Sequence, residues 1–519
     1  MKTRLRAESP SLADSAIAFL SAALLVISFP DFNVWLLAWV GVVPLLLLVA
    51  HQPVTWRSFC LGWLFGSVFF YGSCYWLTYS MIHTGGIPPW LAFPLLAPGA
   101  VLLGLFPAVC LVILAHFIRK WGRPALFLAP VIWVALEWAR LEVTGQLWNA
   151  IGYSQAYEPV LIQSARWGGV YAVSGLIMLV NAAIAFFLCR PSKRSVLFSG
   201  AAISLVGTLL VVGPIRSAPL ISSKDGEAVV IAVQPNVPMT IVKSEDELRE
   251  LTTRHFEMSE TALRELPDDG KPRLVIWPES PMNFEYGTNN SLQESLANFA
   301  KANRTSVLLN SQEAAPKDGL YNSALLINEA GSLVTQYDKI RLLPFGEYVP
   351  LPRWVPGAGL IRGIVGDFTP GTSYSLMPVG KVRAGVFICI ESAYPAIART
   401  FTSEGADVLI NISNDGYLGP TAVMRQHLAN AVFRAVENGR PLLRVTNTGI
   451  TAFVTPTGQV QDETQGFKPE IRTWRIAQAS QSPTFYTRHG DVFAVGCAMF
   501  SVLMFVLSLR RVGLRASAG

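Results

Sequence analysis

The sequence predicts an α/β domain inserted into a polytopic α-helical membrane domain of about eight helices. Hydrophobic residues make up 51% of the 519-residue chain and charged residues only 15%, against about 25% charged in an ordinary soluble protein. Long apolar runs occupy the first 214 residues and the C-terminal end, whereas the segment between them has ordinary polarity. This distribution indicates membrane spans around one large polar domain.

The membrane spans are predicted from apolar runs. No Asp, Glu, Lys or Arg occurs between Ser58 and Ile118, and a run of that length fits two helices of about 20 residues each. We expect the first apolar stretch to be a retained helix, because it lacks a convincing signal-peptide cleavage site. The remaining predicted helices lie at about 12–30, 33–50, 124–141, 168–189, 195–214 and 491–509.

Basic residues predict the orientation of these helices. They cluster in loops that eight alternating helices place on one side of the membrane, and the positive-inside rule makes that side cytoplasmic. Short clusters of this kind do not form a nucleic-acid surface. The clusters are Lys2, Arg4 and Arg6; Arg57; Arg119, Lys120 and Arg123; Arg190, Lys193 and Arg194; and Arg510, Arg511 and Arg515. Both termini are therefore expected in the cytoplasm, with a membrane domain at 1–214, an outer domain at 215–490 and a last helix and tail at 491–519.

The outer domain shows strand-like apolar runs alternating with amphipathic helical patterns. Near-continuous apolar strands between helices predict a sheet covered on both faces. The stretch YNSALLINEAGSLVTQYDK reads as a hairpin. The predicted strands are 228–234, 274–277, 305–309, 384–390 and 407–412, and the predicted helices are 245–266, 291–303 and 421–438.

Cys389 is the one cysteine of six that lies in the outer domain. An unpaired thiol in an oxidising compartment is either buried and inert or kept for its reactivity, and the residues alone leave both readings open. Neither a CxxC nor an HExxH motif occurs, so neither a metal nor another cofactor is predicted.

A nucleophilic thiol needs a base, and the sequence offers two kinds. His255 lies in a charged helical pattern and is expected to be solvated, whereas His427 could line a site. Glu279 ends the strand LVIW, where open α/β sheets bind ligands, and could act as a general base. Lys339 follows another strand and could donate to an oxyanion. For both residues the alternative is a solvated turn position.

Three motifs carry a family resemblance. WPES with Glu279, YDKIRLLPFGEYVP with Lys339 and ICIES with Cys389 resemble, in order and spacing, the Glu-Lys-Cys triad of the nitrilase (carbon–nitrogen hydrolase) superfamily. Inserted between seven helices and one, they resemble the apolipoprotein N-acyltransferase family. So do QPNVP, YNSALL, ISNDGYLG, the stretch 425–449 and TFYTRHGD. Tyr417-Leu418 departs from the Trp-Phe that this family commonly has.

The resemblance implies a nitrilase-like αββα sandwich and a two-step reaction. Cys389 would be the nucleophile, Glu279 the general base and acid, and Lys339 with the Ile390 N–H the oxyanion donors. An acyl chain would pass from a phospholipid, through a Cys389 thioester, to the α-amine of a diacylglyceryl-cysteine of an apolipoprotein. The enzyme would be a monomer in the inner membrane, with its catalytic domain in the periplasm. The alternatives are a membrane-tethered amidase that hydrolyses a C–N bond and a transporter or receptor.

The remaining predicted site residues have supporting or substrate-contact roles. Glu347 and Glu391 are expected to support the triad, and Asn322 and Asn414 to anchor turns around the pocket. Those expected to contact substrate or form a membrane-touching lid are Tyr417, Trp354, Leu360 and Ile361.

Overall fold

The computed structural model of the protein describes residues 9–189, 191–215, 226–239, 243–316, 319–349 and 368–509. The chain divides into two compact units. A helical unit comprises residues 1–156, 160–216 and 489–519, and an outer unit comprises 157–159 and 217–488.

The helical unit contains several apolar helices. In its described part, four helices are long and apolar enough to cross a membrane: Pro89–Trp121, Ala165–Cys189, Lys193–Val211 and Val492–Leu509. A fifth results if the helices Thr55–Ser73 and Leu77–His83, bent by 53° at their junction, form one span. The helices are α1 (Leu12–Ser28), α2 (Val43–His51), α3 (Thr55–Ser73), α4 (Leu77–His83), α5 (Pro89–Leu103), α6 (Leu105–Trp121), α7 (Ala129–Thr144), α8 (Ala165–Cys189), α9 (Lys193–Ile215) and, at the C-terminal end, Val492–Leu509.

Every apolar run in the prediction contains helix, which confirms a polytopic helical region. The two spans expected between Ser58 and Ile118 correspond to α3 and to the joined α5 and α6. Three predicted helices are shorter than expected: α1, α2 and α7 have 17, 9 and 16 residues. Small residues let α3 and α6 pack closely, since a Cβ on Gly62 would lie 2.7 Å from the Ala108 Cα.

The outer unit is built on two six-stranded mixed sheets. The first has the order β12-β1-β2-β3-β4-β5 and the second β11-β10-β9-β8-β7-β6. Each sheet has three central parallel strands, β1–β3 and β7–β9, flanked by antiparallel neighbours. The strands are β1 (Ala228–Gln234), β2 (Arg273–Ile276), β3 (Ser306–Ala315), β4 (Gly319–Ile327), β5 (Leu333–Asp338), β6 (Leu376–Val379), β7 (Val382–Ile388), β8 (Val408–Ser413), β9 (Leu442–Thr446), β10 (Ala452–Val454), β11 (Val460–Gln461) and β12 (Glu470–Ile476).

Helices cover the outer faces of the two sheets, whose inner faces meet where β1 contacts β9 and β4 contacts β7. On the first sheet, the helices pack on a buried cluster that includes Trp277, Leu296 and Phe299. The arrangement is an αββα sandwich, which confirms the predicted fold class. The helices of this unit are α10 (Glu245–Glu265), α11 (Asn290–Asn303), α12 (Pro395–Ser403), α13 (Val423–Asn438) and α14 (Phe485–His489).

The expectation that His255 is solvated is wrong. Its side chain is fully buried and its ring packs edge-on against Trp277, with 5.1 Å between ring centroids. Leu251, His255 and Ser259 recur at four-residue spacing and share the buried face of α10. A residue within a charged helical pattern can therefore still face the core.

Candidate active site

Cys389 lies in a strained turn at the carboxyl end of β7. The strand ends at Ile388, and a 3-10 turn, Cys389–Ala393, leads into α12. Cys389 has a φ of +52°, a left-handed conformation that costs a non-glycine residue about 1–2 kcal/mol. Its carbonyl oxygen accepts hydrogen bonds from Asn411 Nδ2 at 3.3 Å and His427 Nε2 at 3.0 Å. Strain held in place by surrounding contacts is typical of functional turns.

Glu279 follows β2 and is held by its surroundings on both sides. The buried Trp277 donates from its indole nitrogen to Ser259 Oγ at 3.0 Å, which fixes the end of the strand. Two residues later, the Glu279 carboxylate is 15% exposed. Its Oε1 accepts from Asn322 Nδ2 at 3.0 Å and lies 3.5 Å from Lys339 Nζ. This carboxylate is thus oriented yet still reachable.

Lys339 lies between two carboxylates at the end of β5. Its side chain is 1% exposed, and Nζ contacts Glu347 Oε1 at 2.8 Å in addition to Glu279. Glu347 also accepts from Asn322 Nδ2 at 2.7 Å and from the Leu343 N–H at 2.7 Å. The Lys339 ammonium group is therefore the positive charge that lies between these two carboxylates.

The charges of this cluster fix the protonation of Lys339 and Cys389. Burial disfavours the Lys339 charge, but Glu279 and Glu347 outweigh burial and raise the pKa of the ammonium group well above its usual range. Burial, with the negative charge of Glu279, also raises the pKa of the Cys389 thiol far above its usual range, although Lys339 opposes this shift. At neutral pH, Lys339 is therefore a hydrogen-bond donor and Cys389 is a thiol that needs a base.

Glu391 anchors the nucleophile turn to a neighbouring loop. Its fully buried carboxylate accepts from the N–H groups of Ile340, Arg341 and Ile388 at 2.8–3.0 Å. The Tyr337 hydroxyl donates to both carboxylate oxygens at 2.8 and 2.9 Å. Burial raises the pKa of Glu391, and the backbone N–H groups oppose this shift. The side chain joins the two ends of the turn to the segment that carries Lys339.

The other predicted residues have different surroundings. Asn322 bridges Glu279 and Glu347, and a turn-anchoring role for it stays a prediction. Asn414 does hold a turn, because its Oδ1 accepts from the Gly416 N–H at 3.1 Å. Tyr417 lies in the 3-10 turn Gly416–Leu418 and is 42% exposed; partial burial, with the negative charge of Glu279, raises the pKa of its hydroxyl to about 12. Trp354, Leu360 and Ile361 lie outside the described residues.

Comparison with known proteins identifies the family. Residues 21–183 match the family described as apolipoprotein N-acyltransferase N-terminal domain, and residues 232–483 match carbon-nitrogen hydrolase. An apolipoprotein N-acyltransferase of Geobacter metallireducens is 32% identical over 511 residues, covering 96% of each chain. This chain belongs to the apolipoprotein N-acyltransferase family. The Rickettsia bellii member is 28% identical over 454 residues and covers 86% of this chain and 88% of its own.

Solved structures match about half of this family member. A nitrilase-superfamily protein of Saccharomyces cerevisiae is 19% identical and covers 50% of this chain and 93% of its own, with a TM-score of 0.38. An amidase from Nesterenkonia sp. is 17% identical and covers 53% of this chain and 96% of its own, with a TM-score of 0.37.

Several groups around Glu279, Lys339 and Cys389 were missed by sequence reasoning. Asn310 Nδ2 donates to Asn322 Oδ1 at 2.7 Å and so turns the Asn322 amide towards the two carboxylates. Arg444, in the middle of β9, is fully buried and bonds Asn411 and Asp415. The apolar run PLLRVT was the available signal, because a lone arginine in a buried strand requires partners.

Proposed function

We propose that this chain transfers an acyl chain from a membrane phospholipid to the α-amine of an N-terminal diacylglyceryl-cysteine of apolipoproteins. The observation that carries the proposal is the ion-paired cluster of Glu279, Lys339 and Glu347, whose charges act on the partly buried thiol of Cys389. The family supplies the substrate class: its members are named for acylation of apolipoproteins.

The first half-reaction acylates the enzyme. Glu279 takes the proton from the Cys389 thiol as sulfur attacks the ester carbonyl of the phospholipid. Lys339 Nζ, with the Ile390 N–H, stabilises the tetrahedral oxyanion. Collapse breaks the C–O bond, and Glu279 returns the proton to the departing lysophospholipid alkoxide. The product is a Cys389 thioester.

The second half-reaction regenerates the thiol. The α-amine of the lipidated cysteine attacks the thioester carbonyl, and Glu279 takes a proton from the amine. The C–S bond breaks, sulfur recovers a proton, and an amide remains on the lipoprotein. Thioester to amide is downhill, and the order of steps is ping-pong. Glu347 keeps Lys339 in place throughout, and Glu391 keeps the nucleophile turn in place.

The test is capture of the acyl-enzyme. Full-length protein in phospholipid vesicles is incubated with a phospholipid carrying a labelled acyl chain, and hydroxylamine-sensitive label on the protein is measured. Wild type should carry label, Cys389→Ala should not, and Cys60→Ala, which removes a thiol of α3, should label like wild type. Label retained by Cys389→Ala would refute the assignment. A chase with a diacylated lipopeptide should move label to the peptide, whereas release by water alone would indicate an amidase-type hydrolase.

We also propose that the outer unit is periplasmic, that both termini are cytoplasmic, and that the enzyme acts as a monomer. The basic loops support the orientation, and the placement of all proposed catalytic groups in one chain supports the monomer. Single cysteines introduced at exposed Glu329 and Lys120 of a protein lacking its six native cysteines test the orientation. An impermeant maleimide should label only the former in intact cells without an outer membrane. Measurement of the mass of the purified protein, corrected for bound detergent, tests whether the enzyme is a monomer.

A further inference from the structure

His427 lies under the nucleophile turn without serving as its base. The side chain is 3% exposed and extends from α13 between two acceptors. Nδ1 is 2.8 Å from Asp415 Oδ1, and Nε2 is 3.0 Å from the carbonyl oxygen of Cys389. The ring therefore contacts the main chain of Cys389.

Arg444 organises both donors to that carbonyl. Its Nη1 donates to Asn411 Oδ1 at 2.6 Å, and Asn411 Nδ2 in turn donates to the Cys389 carbonyl. Its Nη2 donates to both oxygens of Asp415 at 3.0 and 2.8 Å, and Asp415 holds His427. Two branches from one buried guanidinium thus converge on one oxygen atom.

The acceptors fix the hydrogens of the ring. Burial opposes ionisation of Asp415, but Arg444 and His427 outweigh it and hold the pKa of Asp415 at about 2. Asp415 is therefore an acceptor, as is a carbonyl oxygen. Burial, with the Arg444 charge, lowers the pKa of His427, although Asp415 and the Cys389 carbonyl oppose this shift. A bare Nε2 would face an oxygen lone pair of the carbonyl, so the contact to Cys389 requires hydrogen on Nε2.

We propose that His427 is a positioning residue: donating from Nε2 to the carbonyl of Cys389, it holds the nucleophile in its left-handed conformation. Asp415 and Arg444 keep the ring in the donating state, and Asn411 supplies the second branch. The proposal rests on the proposed function, because it takes Cys389 as the nucleophile. Among the described residues, charged groups that act on the thiol include Glu279, Lys339, Glu347 and Asp415, and those that act on the ring include Asp415 and Arg444.

The test compares His427→Leu with His427→Gln, whose amide N–H can still donate to the carbonyl. For the Leu variant we expect the rate constant of acyl-enzyme formation to fall roughly 10- to 100-fold, with the KM for phospholipid within about twofold of wild type. The Gln variant should recover most of this rate. A Leu variant with the wild-type rate would overturn the proposal, as would a Gln variant as slow as Leu.

A measurement on the unmodified protein keeps the proposal falsifiable if the variants fold poorly. With ¹⁵N-labelled histidine in the full-length protein, one of the six rings should carry an Nε2-bound hydrogen that exchanges slowly with solvent, because the His427 ring is 3% exposed and donates to a carbonyl. Absence of such a ring would overturn the proposal. Failure of the proposed function is recognised separately, since it would appear as label retained by Cys389→Ala whatever His427 does.

Discussion

Asn322 provides the sharpest test of how the proposed base is held. Its Nδ2 donates to Glu279 Oε1 at 3.0 Å and to Glu347 Oε1 at 2.7 Å. Asn322→Leu keeps the approximate shape of the side chain and removes both donors. Among the described residues, Glu347 retains Lys339 Nζ and the Leu343 N–H, whereas Glu279 retains only the longer contact to Lys339 Nζ at 3.5 Å. The loss therefore falls mainly on Glu279.

The size of the effect follows from that asymmetry. A hydrogen bond to a charged group contributes about 1.5–3 kcal/mol, and about 1.4 kcal/mol corresponds to a tenfold change in rate. If loss of the hydrogen bond to Glu279 raises the activation free energy of acylation by this amount, Asn322→Leu should slow acyl-enzyme formation about 10- to 100-fold. Asn310→Leu should also slow acylation, but less strongly. It removes only the donor to Asn322 Oδ1 and so lets the Asn322 amide group rotate.

The assay is single-turnover transfer of a labelled acyl chain from phospholipid to Cys389 in vesicles, with unfolding measured in parallel. Asn328→Ala is the matched control: it removes an acceptor of two N–H groups in the turn of the same hairpin, so it should lower stability without slowing acylation. An Asn322→Leu enzyme that acylates within twofold of wild type would show that Glu279 does not depend on this amide.

Three further predictions concern charge. Lys339→Met should slow acylation by about 10²–10³-fold, the usual effect of losing an oxyanion donor; a smaller effect at full phospholipid saturation would count against that role. Tyr337→Phe should lower the free energy of unfolding by about 1.5–3 kcal/mol, because the hydroxyl donates to the charged, buried Glu391; unchanged denaturation would contradict this. Burial lowers the pKa of His255 to about 4, so the neutral ring is favoured in the fold. Above about pH 6.5 the ring is neutral in both the folded and the unfolded state, and the free energy of unfolding has its full value. It should decline by about 2–3 kcal/mol as pH falls towards 4, because only the unfolded state then takes up the proton. His255→Leu should flatten the dependence in tryptophan-fluorescence melts and exposed His51→Leu should not; equal slopes would refute the argument.

The sequence predicts the framework of the outer unit well and its edges poorly. The predicted strands at 228–234, 274–277 and 407–412 correspond to β1, β2 and β8, because each is a buried central strand and reads as one apolar run. β10 and β11, with three and two residues, are too short to show a period. β9 carries Arg444 at its centre, so its pattern does not look like that of a buried strand.

The chemistry of the site is predictable in type but not in detail. Glu279, Lys339 and Cys389 each end a strand, and strand ends of one crevice can be expected to meet. The partner of a buried amide is different, because it depends on cross-strand register. Asn310 and Asn322 are brought together by the pairing of β3 with β4, in which Asn322 lies opposite Gln312. The role of His427 depends likewise on how α13 packs beneath the nucleophile turn.

The charges around Cys389 also bear on how a site with the proposed carboxylate base would operate in the proposed periplasmic location. A thiolate held by a neighbouring imidazolium reacts with oxidants continually, since the thiolate is the reactive form. Here burial and Glu279 raise the pKa of the thiol, so the resting group is the less reactive protonated form. In the proposed mechanism, Glu279 removes the proton only as sulfur attacks an ester placed beside Lys339. The carboxylate base would then couple deprotonation to the presence of the acyl donor, and in the proposed periplasmic location the unpaired thiol of Cys389 would resist oxidation.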